Sequence, residues 1–224
     1  MLKTFKKYRL FITTMVVLSA IIIISFYNIL TPTKVLPIYQ PAQVNFELVD
    51  STIQHKKKYH KIADFKLVNQ NGDTITQAFY KDKIYVADFF FTTCQTICPI
   101  MTDHMYEIQK QTISDPEVLL LSHTVTPEID SVAQLKRYAK KKLVNSTKWN
   151  LVTGDKKQIY DLARTSYLAV KTSGDGGPYD MIHTENFMLI DKKKQIRGFY
   201  DGTDPKAIEK LLDDIKVLKA SYNN

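Results

Sequence analysis

Two cysteines, Cys94 and Cys98, make up the whole thiol complement of this 224-residue chain, and Pro99 follows the second directly. In the run Asp88-Phe-Phe-Phe-Thr-Thr-Cys94-Gln-Thr-Ile-Cys98-Pro99, a buried-strand pattern gives way to the start of a helix. The i, i+4 spacing predicts both sulfurs on one helical face. A helix N-terminus stabilises thiolate through its dipole and free N–H groups. Two thiols so placed can close a reversible disulfide or grip a soft ion such as Cu(I). A purely structural bridge across so short a loop would add little, because loop-closure entropy grows with loop length. Two cysteines also cannot build a four-thiolate zinc site or staple a mini-protein.

Imidazole is the usual third ligand for a copper ion on two thiolates, and five histidines compete for that place. His55 and His60 fall in a polar stretch and read as solvated. His104, six residues past Cys98, stands roughly 240° around an ideal helix and should point elsewhere. His123 ends a second apolar strand pattern, and His183 lies between a glycine-rich loop and a later strand. Spacing alone leaves His123 and His183 both open. Asp88 stands six residues before Cys94 inside an apolar run. A carboxyl buried there would have a raised pKa and could accept the proton of Cys98; on an edge it would only make a local hydrogen bond. Met101 and Met105 offer thioethers, but their helical spacing reads as core filling.

The elements that must position these groups follow from periodicity. Residues 65–68 and 74–78 flank Asn71-Gly72-Asp73, a hairpin signal. Ile84 to Phe91 and Val118 to Ser122 read as buried strands, and Trp149 to Val152 as a shorter one. Helices are predicted after Pro99, over Ser131–Lys142, over Lys156–Ala163 and over Pro205–Leu218. Residues 172–178, with three of the seven glycines, read as a loop, and residues 187–191 and 195–200 as a second hairpin. Strands interleaved with helices and a late hairpin give an α/β class with a mixed sheet.

Net charge is +8, but its distribution matters more than its size. Residues 1–35 carry five basic side chains and no acid; the remainder carries 26 bases against 23 acids. A nucleic-acid binder concentrates base on its folded domain, so nucleic acid is set aside. Leu10 to Thr33 is uncharged and mostly apolar, long enough to cross a bilayer. The basic cluster ahead of it predicts a cytoplasmic N-terminus. A cleaved signal would have a shorter apolar core and a small-x-small site, and Ser25-Phe26-Tyr27-Asn28 offers none. The expected organisation is a basic tail (1–9), a signal anchor (10–33), a proline-bearing stalk (34–60) and one folded domain (61–224).

FFFTTCQTICPIM, followed some ninety residues later by DMIHTENFMLID, resembles the Sco (SenC/PrrC) family of membrane-anchored, thioredoxin-like copper proteins over about Ile62 to Leu218. The resemblance implies a thioredoxin-like mixed sheet flanked by helices, with an N-terminal transmembrane helix. It implies one copper ion, Cu(I) or Cu(II), on Cys94, Cys98 and His183, which decides against His123. It further implies a single-pass inner-membrane protein whose domain lies in the periplasm, or in the intermembrane space of a mitochondrion. The expected partner is the copper-site subunit of cytochrome c oxidase or another periplasmic copper protein. Two departures stand out. The family often has Asp before the histidine and Ser after it, where this chain has Ile182 and Thr184, and its Asp-Pro-rich segment reads His123-Thr-Val-Thr-Pro127-Glu-Ile-Asp130. A ligand imidazole usually leans on a second acceptor, so these changes bear on copper affinity.

Three functions compete on this reading. A metallochaperone would hold copper on both thiolates and His183 and pass it on by ligand exchange. A thiol–disulfide oxidoreductase would attack with Cys94 and resolve with Cys98, leaving His183 a bystander; a peroxidase variant finds no further support. A redox or copper sensor would need an output, and the sequence carries no separate output domain.

Overall fold

The computed structural model describes residues 8–30, 35–44, 55, 59–170, 177 and 180–222. It divides into two compact units, Met1–Val35 and Leu36–Asn224. The first is the helix α1 (Arg9–Leu30). Within it Arg9–Tyr27 has a mean hydropathy of 2.4, long and apolar enough to cross a membrane.

The second unit is a seven-stranded mixed sheet flanked by helices. Its strands are β1 (Lys66–Asn69), β2 (Thr74–Thr76), β3 (Ile84–Phe90), β4 (Val118–Thr124), β5 (Trp149–Thr153), β6 (Asn186–Ile190) and β7 (Ile196–Asp201). The helices are α2 (Ile97–Thr112), α3 (Val132–Lys141), α4 (Lys156–Asp161) and α5 (Pro205–Ala220). Strand order is β2-β1-β5-β4-β3-β6-β7. The three central strands β5, β4 and β3 run parallel, while both flanks pair antiparallel. Every residue of β3, β4 and β5 is buried, as their near-continuous apolar sequences require of strands covered on both faces.

Alternation along β3 separates two cores. Tyr85, Ala87 and Phe89 point to one face, with Leu121, Tyr160 and Tyr167. Ile84, Val86 and Phe90 point to the other, with Cys98, Met101, Met105 and the inner side of α5. Ser131 caps α3 by accepting from the Gln134 N–H, and Pro205 opens α5 behind the Asp204 cap. Gly72 (φ +89°) makes the β1–β2 turn that Asn71-Gly72 predicts.

Several boundaries differ from expectation. α4 stops at Asp161 and passes into a π-helical turn, Leu162–Ser166. Of the segment expected as a stalk, residues 45–54 and 56–58 fall outside the described residues, and Leu36, Pro37 and Tyr39 are hydrogen-bonded to the domain. Arg197 donates to the Leu36 and Pro37 carbonyls at 2.6 and 2.9 Å, and the Tyr39 N–H donates to the Ile196 carbonyl. His60 is buried rather than solvated, its Nε2 lying 2.7 Å from the Ser166 carbonyl oxygen. Of the predicted loop 172–178, all but Gly177 falls outside the described residues.

Candidate functional site: the Cys94–Cys98 pair

β3 delivers the chain to the carboxyl end of the sheet, and residues 91–96 turn it into α2. Cys98 is the second residue of that helix; Cys94 lies in the turn before it. The two sulfurs therefore do not share a helical face, contrary to what the spacing alone predicted. Cys94 instead folds back over the helix start, where its Sγ accepts from the Cys98 N–H at 3.5 Å and lies 3.6 Å from the Thr96 hydroxyl. Both thiols are free, Cys94 partly exposed and Cys98 buried.

This placement splits the pair chemically. Partial burial pushes the Cys94 thiol up, but hydrogen bonds from the Cys98 thiol and N–H and from Thr96 outweigh it, and its pKa falls to about 7. Burial pushes the Cys98 thiol up to about 12, and the hydrogen bond it gives to Cys94 reinforces the shift. A partly exposed low-pKa nucleophile thus stands beside a sheltered, protonated partner.

Asp88 is at the centre of the sheet, not on an edge: β3 is flanked by β4 and β6. It is 2% exposed, and its Oδ1 has no hydrogen-bond partner. Its register partner is Ser122, and both alternate onto the face that carries Cys98. Burial raises the Asp88 pKa to about 7, with the Ser122 hydroxyl opposing in part. The negative charge of Asp88 acts in turn on Cys98.

The histidines separate cleanly. His123 alternates onto the opposite face, stacked on Phe89 at 4.9 Å and edge-on to Phe65 and Tyr167. Neither of its ring nitrogens has a partner, and burial lowers its pKa to about 3. The sheet lies between it and the thiols, which removes the alternative that spacing left open. His104 Nδ1 is turned away to the Gly202 carbonyl at 2.7 Å. His183 lies exposed in the extended segment that leads into β6. Its neighbours Ile182 and Thr184 are buried, and Thr184 Oγ1 donates to the Ala169 carbonyl at 3.0 Å. Ile182 and Thr184, which stand where the resemblance led us to expect Asp and Ser, therefore anchor the backbone while His183 faces outward. β6 pairs antiparallel with β3, Met188 opposite Ala87, so this segment approaches the end of the sheet that bears the thiols. Among the described residues, however, no three His, Cys, Asp or Glu side chains converge closely enough to hold a metal ion.

One positioning residue had only a faint sequence signal. Asp130, fully buried, accepts from the Thr92 N–H at 3.2 Å, from the Thr92 hydroxyl at 2.5 Å, from the Thr126 hydroxyl at 3.1 Å and from the Thr124 hydroxyl. Gln134 Nε2 adds a bond to Thr92 Oγ1. Thr92 stands two residues before Cys94, so this network fixes the turn that presents the nucleophile.

A strand that ends in a turn carrying a partly exposed thiol, with a buried thiol in the first turn of the next helix, defines a thioredoxin-like protein with a dithiol at its strand-to-helix turn. Comparison with known proteins narrows the class: the SCO1/SenC family model matches residues 53–219, and the chain belongs to that family. A SCO1 protein homolog of Bacillus subtilis is 30% identical over 159 residues, covering 70% of this chain and 82% of the relative. The crystal structure of a SCO1/SenC family lipoprotein from Bacillus anthracis superposes with a TM-score of 0.63 at 30% identity, covering 71% of this chain and 95% of that one. Bradyrhizobium japonicum ScoI, solved with copper bound, gives 0.56 at 25% identity over 71% and 99% of the two chains. BsSco, described through a disulfide switch and as one of the Sco family of cytochrome c oxidase assembly proteins, gives 0.60 at 29% over 71% and 93%.

Proposed function

We propose that the chain is a membrane-anchored thiol–disulfide protein of the Sco family in which Cys94 and Cys98 cycle between dithiol and disulfide. The observation that carries this reading is the asymmetry of the pair, a partly exposed thiol at about 7 beside a buried one at about 12. Cys94 thiolate attacks one sulfur of a partner disulfide and the other leaves as thiolate, giving a mixed disulfide. Cys98 passes its proton toward the Asp88 carboxylate and attacks Cys94 Sγ, and the partner's second sulfur leaves. The partner gains two electrons and the Cys94–Cys98 disulfide forms; an external dithiol restores it. Asp88 is the acid–base group of this scheme because it is buried on the same face as Cys98 with an unpartnered oxygen.

Copper as cargo is the second reading, favoured by the copper-bound relative and by the soft donor set. Two adjacent sulfurs fit Cu(I). His183 is the third ligand of this reading, supported by the approach of its segment to the same end of the sheet. The recipient on either reading is a copper-site subunit of cytochrome c oxidase or another periplasmic copper protein, the former consistent with the assembly role stated for BsSco. The apolar helix α1 and the basic residues ahead of it support a single-pass anchor with the domain outside the cytoplasm.

Trapping distinguishes the roles of the two thiols. Full-length protein in neutral detergent is mixed with a disulfide-linked peptide. Cys98→Ser should retain one peptide as a mixed disulfide on Cys94, and Cys94→Ser should retain none. Equal trapping by both variants, or by neither, would overturn the assigned roles.

A further inference from the structure

The thiol chemistry uses only one end of the sheet. β3 begins at the other end, where Tyr85 pairs with Ile190 just ahead of the β6–β7 turn. There a cavity of about 610 Å³ opens between three separate pieces of chain: the approach to β1, the connection from β2 to β3, and that turn. Lys61, Lys81, Lys192, Lys193 and Lys194 all line it.

Their pairing is incomplete. Lys194 bridges to Asp64 at 2.9 Å and Lys192 to Glu117 at 2.6 Å. Among the described residues, Lys61, Lys81 and Lys193 have no carboxylate partner, and Asp82 is the one unpaired acid in the lining. The balance is two uncompensated positive charges around a concave site. Phe65 gives the lining an apolar surface, and Gln77, 4% exposed, belongs to it as well. Gln77 Oε1 accepts from the Tyr85 hydroxyl at 3.4 Å, while its Nε2 donor is left without a partner. Unneutralised ammonium groups in a concave site, beside an amide donor in need of an acceptor, are suited to a phosphate oxyanion.

The entry of the chain into the domain indicates which phosphate. Arg197 and Ile196, the first residues of β7, hold Leu36, Pro37 and Tyr39, and the Ile62 N–H donates to the Lys194 carbonyl at 2.8 Å. The lead into the domain and the lysine cavity therefore share one pole, away from the thiols. Only residues 31–35 separate the last residue of α1 from Leu36. We propose that this cavity is a phosphate site that takes the headgroup of an anionic phospholipid. The inference rests on reading α1 as a membrane anchor and is independent of the thiol chemistry.

The test uses the full chain in lipid discs, with lysine acetylation mapped by mass spectrometry. In discs with about one-third phosphatidylglycerol, labelling of Lys61, Lys81 and Lys193 should fall about threefold or more relative to pure phosphatidylcholine, with Lys110 and Lys216 unchanged. Lys61→Gln combined with Lys81→Gln should abolish the protection at Lys193. Glycerol phosphate added to phosphatidylcholine discs separates the sources. Protection there as well supports the phosphate site and opens it to soluble esters; protection by glycerol phosphate but not by anionic discs overturns the lipid assignment. Unchanged labelling in every case, or protection spread equally to Lys110 and Lys216, overturns the site. A chain that fails to enter discs at all refutes the anchor instead, which is a separate result.

Discussion

Replacing Cys98 by Ala should slow the reaction of Cys94 with iodoacetamide at neutral pH, and the structure sets the size of the effect. With its pKa at about 7, half of Cys94 is thiolate at pH 7, whereas at the ordinary thiol value of 9.0 the fraction is near one in a hundred. That gain of about 50-fold in thiolate is offset about tenfold by lower intrinsic nucleophilicity, leaving a net advantage of about fivefold. Cys98, buried and at about 12, contributes almost nothing to the observed rate. The Cys98 thiol is the first of the groups that lower Cys94, and Cys98→Ala removes it while keeping the backbone N–H. A hydrogen bond to a charged group contributes about 1.5–3 kcal/mol, or one to two pH units, and Cys94's partial exposure argues for the lower end. The midpoint of the rate-against-pH curve, read by mass spectrometry, should therefore rise by about one unit. A wild-type midpoint in the ordinary thiol range, or one that does not move in Cys98→Ala, would refute the proposed origin of the reactivity.

Other expectations follow from the same geometry. The folded Asp88 carboxyl keeps its proton up to about pH 7, whereas an unfolded one releases it near 3.8, so the folded state loses stability as pH rises through that window. Asp88→Asn should then stabilise the protein by up to about 4 kcal/mol at pH 8 but little at pH 4 in urea titrations, and should slow the resolving step of disulfide exchange. His123, neutral in the fold down to about pH 3, makes folding less favourable as pH falls below 6.5. His123→Phe should raise stability at pH 7 by about 1–3 kcal/mol in denaturant titrations, because two unpartnered nitrogens leave an aromatic cage, and should leave Cys94 alkylation unchanged. Asp130→Ala orphans the donors gathered by one buried carboxylate; a loss of about 3 kcal/mol or more in the same titrations is expected. On the copper reading, an anaerobic Cu(I) competition titration should give one tight site weakened by both His183→Ala and Cys98→Ser, and indifference to His183 would refute the three-ligand set.

Most of the sheet could be read in the sequence because strands buried on both faces are written as unbroken apolar runs, as in β3 and β4. Asn71-Gly72 and Pro205 marked a turn and a helix start for steric reasons that act locally. The thiol pair was equally legible, since chain order alone puts it between a strand and a helix. Residues whose role depends on which face they occupy were harder. His123 and Asp88 are near each other in register, yet alternation sends them to opposite sides of the sheet, and that became clear only once the pairing was known. The start of α2 moved Cys94 off the helix, because a boundary error of a residue or two changes what an i, i+4 spacing means. His60 and Leu36 were hidden for a different reason: a polar, proline-bearing stretch is held down by partners more than a hundred residues away, Ser166 and Arg197.

The most direct test of the central claim is a redox titration of the full-length protein in glutathione buffers, quenched in acid and counted by alkylation mass. A single reversible transition that consumes both thiols together and does not depend on protein concentration is the expected result. Loss of one thiol at a time, or oxidation that requires two chains, would contradict an intramolecular Cys94–Cys98 couple.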